Sequence, residues 1–286
     1  MSAGCGLDRP VFIVSPPRSG SSLLFRTLMQ APNSFTIGGE SHALIESLPS
    51  LHPRNRGWES NRLTAADAAP EVAEELARRF KAALRDRNGR PPAAGAVRMI
   101  EKTPKNSLRV PFLASAFPDA VFVYLHREPR ETLSSMMEAW ASGRFRTYPG
   151  LPDWPGPPWS LLLTPGWREW RDLPLEDVVA RQWAATSATL ISDLEALEPA
   201  RVRAVSFRDF VAEPRATVQA LCASLGLAWD RPLASPLPLS PSVVSAPRPD
   251  KWRSNEAAIE RIWPIVAAQA ARAEDFARAV RLRASP

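Results

Sequence analysis

Five short segments of the chain hold residues suited to gripping an anion and removing a proton. The first is Ser15-Pro16-Pro17-Arg18-Ser19-Gly20-Ser21-Ser22. A turn of this kind between a strand and a helix aims backbone N–H groups and a helix N-terminus at one point, which makes an anion site. Gly20 lets the backbone approach closely, Ser21 and Ser22 add hydroxyl donors, and Arg18 adds a forked charge. The plainer alternative is a serine cap on an ordinary helix. Gly-x-x-x-x-Gly-Lys-Ser/Thr is absent and no lysine occupies the loop, so phosphate binding is expected here and ATP is not implied.

The second segment is His126-Arg127-Glu128-Pro129, with Ser135 eight residues beyond Arg127. Arg127 follows a strand-like run, where ligands of open α/β sheets gather. The third is Gly38-Gly39-Glu40-Ser41-His42, in which two glycines precede a candidate proton acceptor and His42 is its rival. The fourth is Glu101-Lys102-Thr103-Pro104-Lys105-Asn106, and the fifth is Pro249-Asp250-Lys251-Trp252-Arg253, two cations around an indole. Taken singly, each also reads as a surface ion pair, an exposed turn, a helix start or a loop anchored by tryptophan. Only Lys81, Lys102, Lys105 and Lys251 are lysine among 36 basic side chains, and lysine differs from arginine in its compact ammonium.

The elements that must position these segments follow from apolar periodicity. Val11–Val14, Val97–Ile100, Ala120–Leu125 and Arg201–Ser206 read as strands. Helices are expected over Ser21–Gln30, Glu71–Leu84, Pro129 to Ala141, Leu175–Leu197 and Pro214–Leu225, the last closed by Gly226. A C-terminal helix is marked by Ile259, Ile262, Trp263, Val266, Ala270 and Phe276 and expected to run to about 280. Alternating strands and helices imply parallel βαβ units in one α/β domain spanning 1–286. Gly143–Pro174, rich in Trp, Pro and Gly, and the Pro-rich Leu233–Pro249 interrupt the pattern. Loops so long are usually functional; the tryptophans suit either a flap packed on the core or a lid over a ligand.

Composition excludes several classes. A chain of 286 residues with 45% hydrophobic and 23% charged side chains is globular and needs no disulfide or metal staple. Cys5 and Cys222 form no disulfide framework, and His42, His52 and His126 are too scattered for a metal site. Val121–Leu125 and Ile262–Ala271 are shorter than the ~20 residues of a membrane span, and the N-terminus lacks an apolar signal core. A cytoplasmic protein is expected. The net charge of +6 is spread among 30 acids, so no nucleic-acid partner is expected.

In this order the five segments resemble sulfotransferases that use 3′-phosphoadenosine-5′-phosphosulfate (PAPS). Pro17-Arg18-Ser19-Gly20-Ser21-Ser22 resembles that family's 5′-phosphosulfate loop, and Arg127 with Ser135 resembles its 3′-phosphate pair. Glu40 falls where many carbohydrate- and tyrosine-acting members place their general base. Glu101-Lys102-Thr103-Pro104 resembles their Glu-Lys-Thr/Ser-Pro segment, and Lys251-Trp252-Arg253 is similar to the C-terminal loop that closes over the nucleotide. The resemblance spans roughly residues 10 to 263. It implies a P-loop-like central parallel sheet flanked by helices, and metal-free sulfuryl transfer to a hydroxyl of a small-molecule acceptor. Glu40 is then the base, with Arg18 and Lys102 or Lys251 stabilising the leaving phosphate. Arg18 stands where cytosolic small-molecule members have lysine, which points to a bacterial, Golgi-like branch. Phe207 takes a place where relatives commonly have tyrosine, and small-molecule members use histidine as base, which keeps His42 in view. The aromatic loop favours an amphiphilic or aromatic acceptor. The alternatives are an ATP-dependent small-molecule kinase and a nucleotide- or nucleic-acid-binding module without chemistry.

Overall fold

A computed structural model describes residues 6–234, 236–238, 243–245 and 250–284. Its regular elements, in chain order, are β1 (Val11–Val14), α1 (Ser21–Leu28), β2 (Ser34–Phe35), α2 (His42–Glu46), α3 (Pro70–Ala83), β3 (Arg98–Lys102), α4 (Val110–Ala116) and β4 (Val121–His126). They continue with α5 (Pro129–Ser142), β5 (Arg146–Tyr148), β6 (Trp159–Ser160), α6 (Leu175–Glu195), β7 (Val202–Ser206), α7 (Phe207–Ala212), α8 (Pro214–Leu225) and α9 (Glu256–Ala284).

Apolar runs with both faces buried make parallel strands, because crossover helices cover each side. β1 is at most 1% exposed at any residue and lies at the centre of a five-stranded sheet ordered β2-β3-β1-β4-β7, parallel throughout. Side chains alternate across the pleat. Phe12, Val14, Phe122 and Tyr124 join Phe80, Phe112 and Phe117 on one face, against α3, α4, α6 and α9. Val11, Ile13, Val123 and Leu125 join Leu24, Phe210 and Leu221 on the other, against α1, α7 and α8. Cys222 sits in this second layer, a free thiol that burial pushes up to about 11; Cys5 lies outside the described residues. α8 ends, as its glycine requires, with Gly226 at φ 67°.

The chain leaves β1 toward β2 and β3, then crosses to the opposite side for β4. Loops after the strands therefore diverge and open a crevice at their carboxyl ends, the place where open α/β sheets bind ligands. β3 extends two residues past the expected strand, since Phe12 and Ile13 of β1 register with Glu101 and Lys102. That extension carries two polar side chains to the carboxyl end of the sheet, beneath the floor of the crevice.

The Trp-rich stretch is core rather than a free lid. It contains the antiparallel pair β5–β6 and buries Trp159 and Trp167 completely. Trp159 meets Trp140, Trp154 and Trp167 nearly edge-on at centroid distances of 5.3, 4.8 and 5.6 Å, geometries that add to the gain from area. The indole N–H groups are satisfied: Trp159 Nε1 donates to the Leu162 carbonyl at 3.0 Å and Trp140 Nε1 to Gln182 Oε1 at 3.1 Å. The other side of this stretch, Phe145 to Gly150, faces the crevice. The reading as a flap packed on the core is the one the tryptophans follow. The Pro-rich stretch 233–249 lies partly outside the described residues; of those described, Pro236, Leu237, Pro238, Val243, Val244 and Ser245 line the crevice.

Candidate active site

The first turn of α1 leaves N–H groups without intrahelical partners, and the preceding loop shapes that end. Gly20 caps α1 at φ 95°. A Cβ there would lie 2.2 Å from Cε2 of Phe207, so only glycine lets α7 and the loop approach this closely. Arg18 also has positive φ, 69°, a conformation costing about 1–3 kcal/mol unless the surroundings hold it. They do so at both ends. The Arg18 carbonyl accepts a hydrogen bond from Arg127 Nη1 at 3.0 Å, while Arg18 Nε donates to Ser135 Oγ at 3.3 Å and its guanidinium lies 4.5 Å from the Phe145 ring centre. Ser19 turns inward, its hydroxyl donating to the Pro16 carbonyl at 2.8 Å, and so stabilises the turn itself.

Arg127 emerges after β4, donates from Nε to Glu131 at 3.0 Å and lies 4.8 Å from the Phe207 ring centre. Burial, then the neighbouring Arg127 charge, lowers Arg18 to about 10, opposed by the field of Glu138. The two arginines thus face one space, and the Arg127 charge disfavours that of Arg18, a cost that a bound anion would remove.

α5 supplies the facing wall. Glu131, Ser134, Ser135 and Glu138 share one side of it, as spacings of three and four dictate. They engage Arg127, Asn255, Arg18 and Lys251: Asn255 Nδ2 donates to Ser134 Oγ at 2.9 Å and Lys251 Nζ to Glu138 Oε2 at 2.7 Å. Leu133, Met136 and Trp140, on other sides of the helix, belong to the tryptophan core. Trp252 is tied down by Arg130, whose guanidinium lies 5.6 Å from its ring centre.

Lys102 joins the loop to the candidate base. Its buried ammonium donates to Ser22 Oγ at 3.0 Å and to Glu40 Oε1 at 2.6 Å. His42 Nδ1 stands 3.6 Å from Glu40 Oε2, a longer and weaker contact than that of Lys102. Partial burial alone would raise the Glu40 carboxyl, but His42 and Lys102, one at each oxygen, hold it down to about 2. The segment carrying Glu40 is fixed from beneath by a group whose role is not legible in the sequence, the buried Glu101. Its Oε1 accepts from the hydroxyls of Ser41 and Thr103 at 2.7 and 2.6 Å, and its Oε2 from Asn106 Nδ2 at 2.8 Å. The Ser41 N–H donates in turn to Thr103 Oγ1 at 2.6 Å.

Pro17, Arg18, Gly20, Ser21, Ser22, Glu40, His42, Arg127, Ser135, Lys251 and Trp252 all line one cleft of about 870 Å³. Ser19, Lys102 and Arg253 do not. Lys102 lies just behind the surface, whereas Arg253 points away, pairing with Glu256 and stacking 4.8 Å from Trp252. The Arg253 guanidinium is thus not brought into the cleft: the short helical turn over Lys251–Asn255 presents residues 251 and 252 inward and 253 outward.

The sequence reading also missed a cluster further along the cleft. Glu46, at the end of α2, accepts two hydrogen bonds from Lys105 Nζ at 2.9 and 2.8 Å and one from Arg109. Lys105 Nζ lies 4.8 Å from the Tyr148 ring centre, and Asn61 Nδ2 donates to Tyr148 Oη at 2.6 Å. The scarcity of lysine was the available signal for Lys105. Among the described residues no group of three or more His, Cys, Asp or Glu side chains is placed to hold a metal ion, and no helix is long and apolar enough to cross a membrane.

An open parallel sheet, with a glycine-capped turn after its first strand and a lysine–carboxylate pair beside it, is a P-loop-like fold. A family model described as sulfotransferase matches residues 10–231, and the chain belongs to that family, whose chemistry is sulfuryl transfer. Four of the five segments lie inside the match; Lys251–Arg253 lies beyond it. A Caenorhabditis briggsae sequence named for protein-tyrosine sulfotransferase is 26% identical over 131 residues, covering 46% of this chain and 44% of that relative, so the chain matches less than half of its length. The solved sulfotransferase of Alicyclobacillus acidocaldarius superposes over 94% of this chain and 97% of its own, with TM-score 0.53 and 18% identity. One from Mycobacterium avium superposes over 92% and 76%, with TM-score 0.50 and 16% identity. At these identities the likeness is one of fold.

Proposed function

We propose that this chain moves the sulfuryl group of PAPS to a hydroxyl of a small-molecule acceptor, with Glu40 as the base. The supporting observation is the link Arg127 Nη1–Arg18 carbonyl and Arg18 Nε–Ser135 Oγ, which turns two anion-binding devices toward the same cleft. The residues suit this donor, since two guanidiniums lining one cleft, one of them disfavoured by the other, gain most from a ligand bearing several negative charges. Pro17 to Ser22 would hold the phosphosulfate, Arg127 and Ser135 the 3′-phosphate, and Lys251 and Trp252 the nucleotide edge.

In the transfer the S–O bond to the donor phosphate breaks as one forms to the acceptor oxygen, whose proton passes to Glu40. By analogy with phosphoryl transfer, positioning and electrostatics supply most of the rate. Lys102 has a double role here. It touches both the anion loop and Glu40, so its ammonium moves toward the leaving oxygen as charge grows there. Glu40, released from that partner, becomes more basic in the same step. The acceptor class that the aromatic wall suits is amphiphilic or aromatic.

The test is calorimetric binding of PAP, the desulfated donor product, followed by turnover with PAPS and a panel of hydroxylated acceptors. Glu40→Gln should keep PAP affinity and lower turnover by about 10²–10⁴-fold. Failure of the wild type to bind PAP ends the proposal. Full activity in Glu40→Gln together with loss in His42→Ala transfers the base role to His42.

A further inference from the structure

Lys105 has no part in the transfer described above, yet it lines the same cleft, and its surroundings are those of a ligand site. Glu46 is the carboxylate it contacts, and Arg109, completely buried, shares that carboxylate. Two cations on one anion leave the cluster with one net positive charge. Arg109 has no access to the cleft, so the surplus is presented through Lys105. Arg109 Nη1 is buried without a hydrogen-bond partner among the described residues, a sign that Glu46 does not satisfy both cations.

A cluster serving stability alone would gain by balancing its charges, since an uncompensated buried cation costs several kcal/mol. Burial accordingly lowers Lys105 to about 8, against the pull of Glu46. The other carboxylate whose field reaches Lys105, Glu40, is already held by Lys102. Around the ammonium is an aromatic wall: the Tyr148 ring beside it, Trp58 edge-on to Tyr148 at 5.6 Å, and His52 beyond at 6.1 Å. Lys105 follows Lys102 by three residues, which keeps their Cα atoms within about 11 Å. A group held at Lys105 and a hydroxyl held at Glu40 therefore fit within one small molecule.

We propose that the acceptor carries an anionic substituent received by Lys105, joined to its reactive hydroxyl by an aromatic or apolar body that lies along Tyr148 and Trp58. The assignment rests on the sulfuryl-transfer reading above and adds the chemical class of acceptor to it. Carboxylate, phosphate and sulfate share the required charge, and the cleft ranks none above the others.

The experiment uses the full chain saturated with PAP and titrated by calorimetry with matched acid and methyl-ester pairs, among them 3-(4-hydroxyphenyl)propanoate and its ester. Transfer from PAPS to each is measured in parallel. The wild type should bind the acid of at least one pair about tenfold or more tightly than the ester, the worth of one charge-assisted hydrogen bond. Lys105→Met should bring that ratio near one through the KM of the acid, with PAP affinity retained, and Lys105→Arg should restore part of the preference. Absence of an acid preference in every pair, by equal binding or by none, overturns the assignment while PAP still binds. So does a Lys105→Met protein that binds PAP and weakens acid and ester alike. Loss of PAP binding by the wild type instead brings down the transfer reading itself.

Discussion

Replacing Gly20 by alanine adds a single methyl group where the structure leaves no room for it. The new Cβ would lie 2.2, 2.5 and 3.0 Å from Cε2, Cδ2 and Cζ of Phe207, and the backbone would keep φ 95°. The torsion costs about 1–2 kcal/mol for a residue with a side chain. Relieving the overlap costs a further ~1–3 kcal/mol, as in an overpacked core. The ring has little freedom to retreat: the Arg127 guanidinium lies 4.8 Å from its centre, and its backbone opens α7, which the Ser206 hydroxyl caps by accepting from the Asp209 N–H at 3.2 Å. The total, about 2–5 kcal/mol, is a large share of a typical domain's 5–15 kcal/mol. It falls on the loop proposed to hold the phosphosulfate. Urea unfolding with and without PAP, alongside calorimetric PAP binding, should show lower stability and at least tenfold weaker binding. The same substitution in a Phe207→Leu background should cost only the torsional part. Unchanged stability and PAP affinity in Gly20→Ala would refute the argument, as would an equal cost in both backgrounds.

Because Glu40 ionises near 2 in the fold and near 4.5 in its ordinary state, its contribution to stability is complete above pH 4.5 and disappears as pH falls toward 2. Acid unfolding followed by circular dichroism should therefore be less steep in that window for Glu40→Gln. Glu40 also gives the rate profile no acid limb at pH 5–7, where histidine titrates; a limb there that His42→Gln abolishes would mark His42 as the base instead. Trp159→Ala should cost about 3–5 kcal/mol in urea unfolding, the loss typical of a fully buried tryptophan, because the indole is core and not lid.

Much of the site could be read directly from the chain because its segments follow strands that announce themselves. Val11–Val14 and Val121–Leu125 are continuous apolar runs, the pattern of strands buried on both faces of a parallel sheet, and alternation with helices then places their loops at one end. What stayed hidden depends on partners distant in sequence. The reach of β3 into Glu101 and Lys102 is decided by its register with β1, and composition alone would end the strand at the first charge. The fate of the tryptophans rests on groups such as Gln182, which satisfies Trp140 from 42 residues away. Lys105 meets Glu46 across 59 residues. Nothing local distinguishes that lysine from one on a solvated surface, and the outward turn of Arg253 is set by a helical phase that its neighbours do not reveal.

The helix α5 belongs to two neighbourhoods at once. Leu133, Met136 and Trp140 are set among the indoles, while Glu131, Ser134, Ser135 and Glu138 present the handholds for Arg127, Asn255, Arg18 and Lys251. A rotation of this one rod by a fraction of a turn would move all four handholds together. On the proposed assignment, a change in the packing of the tryptophans would therefore reach the nucleotide through this helix, without any contact between the two.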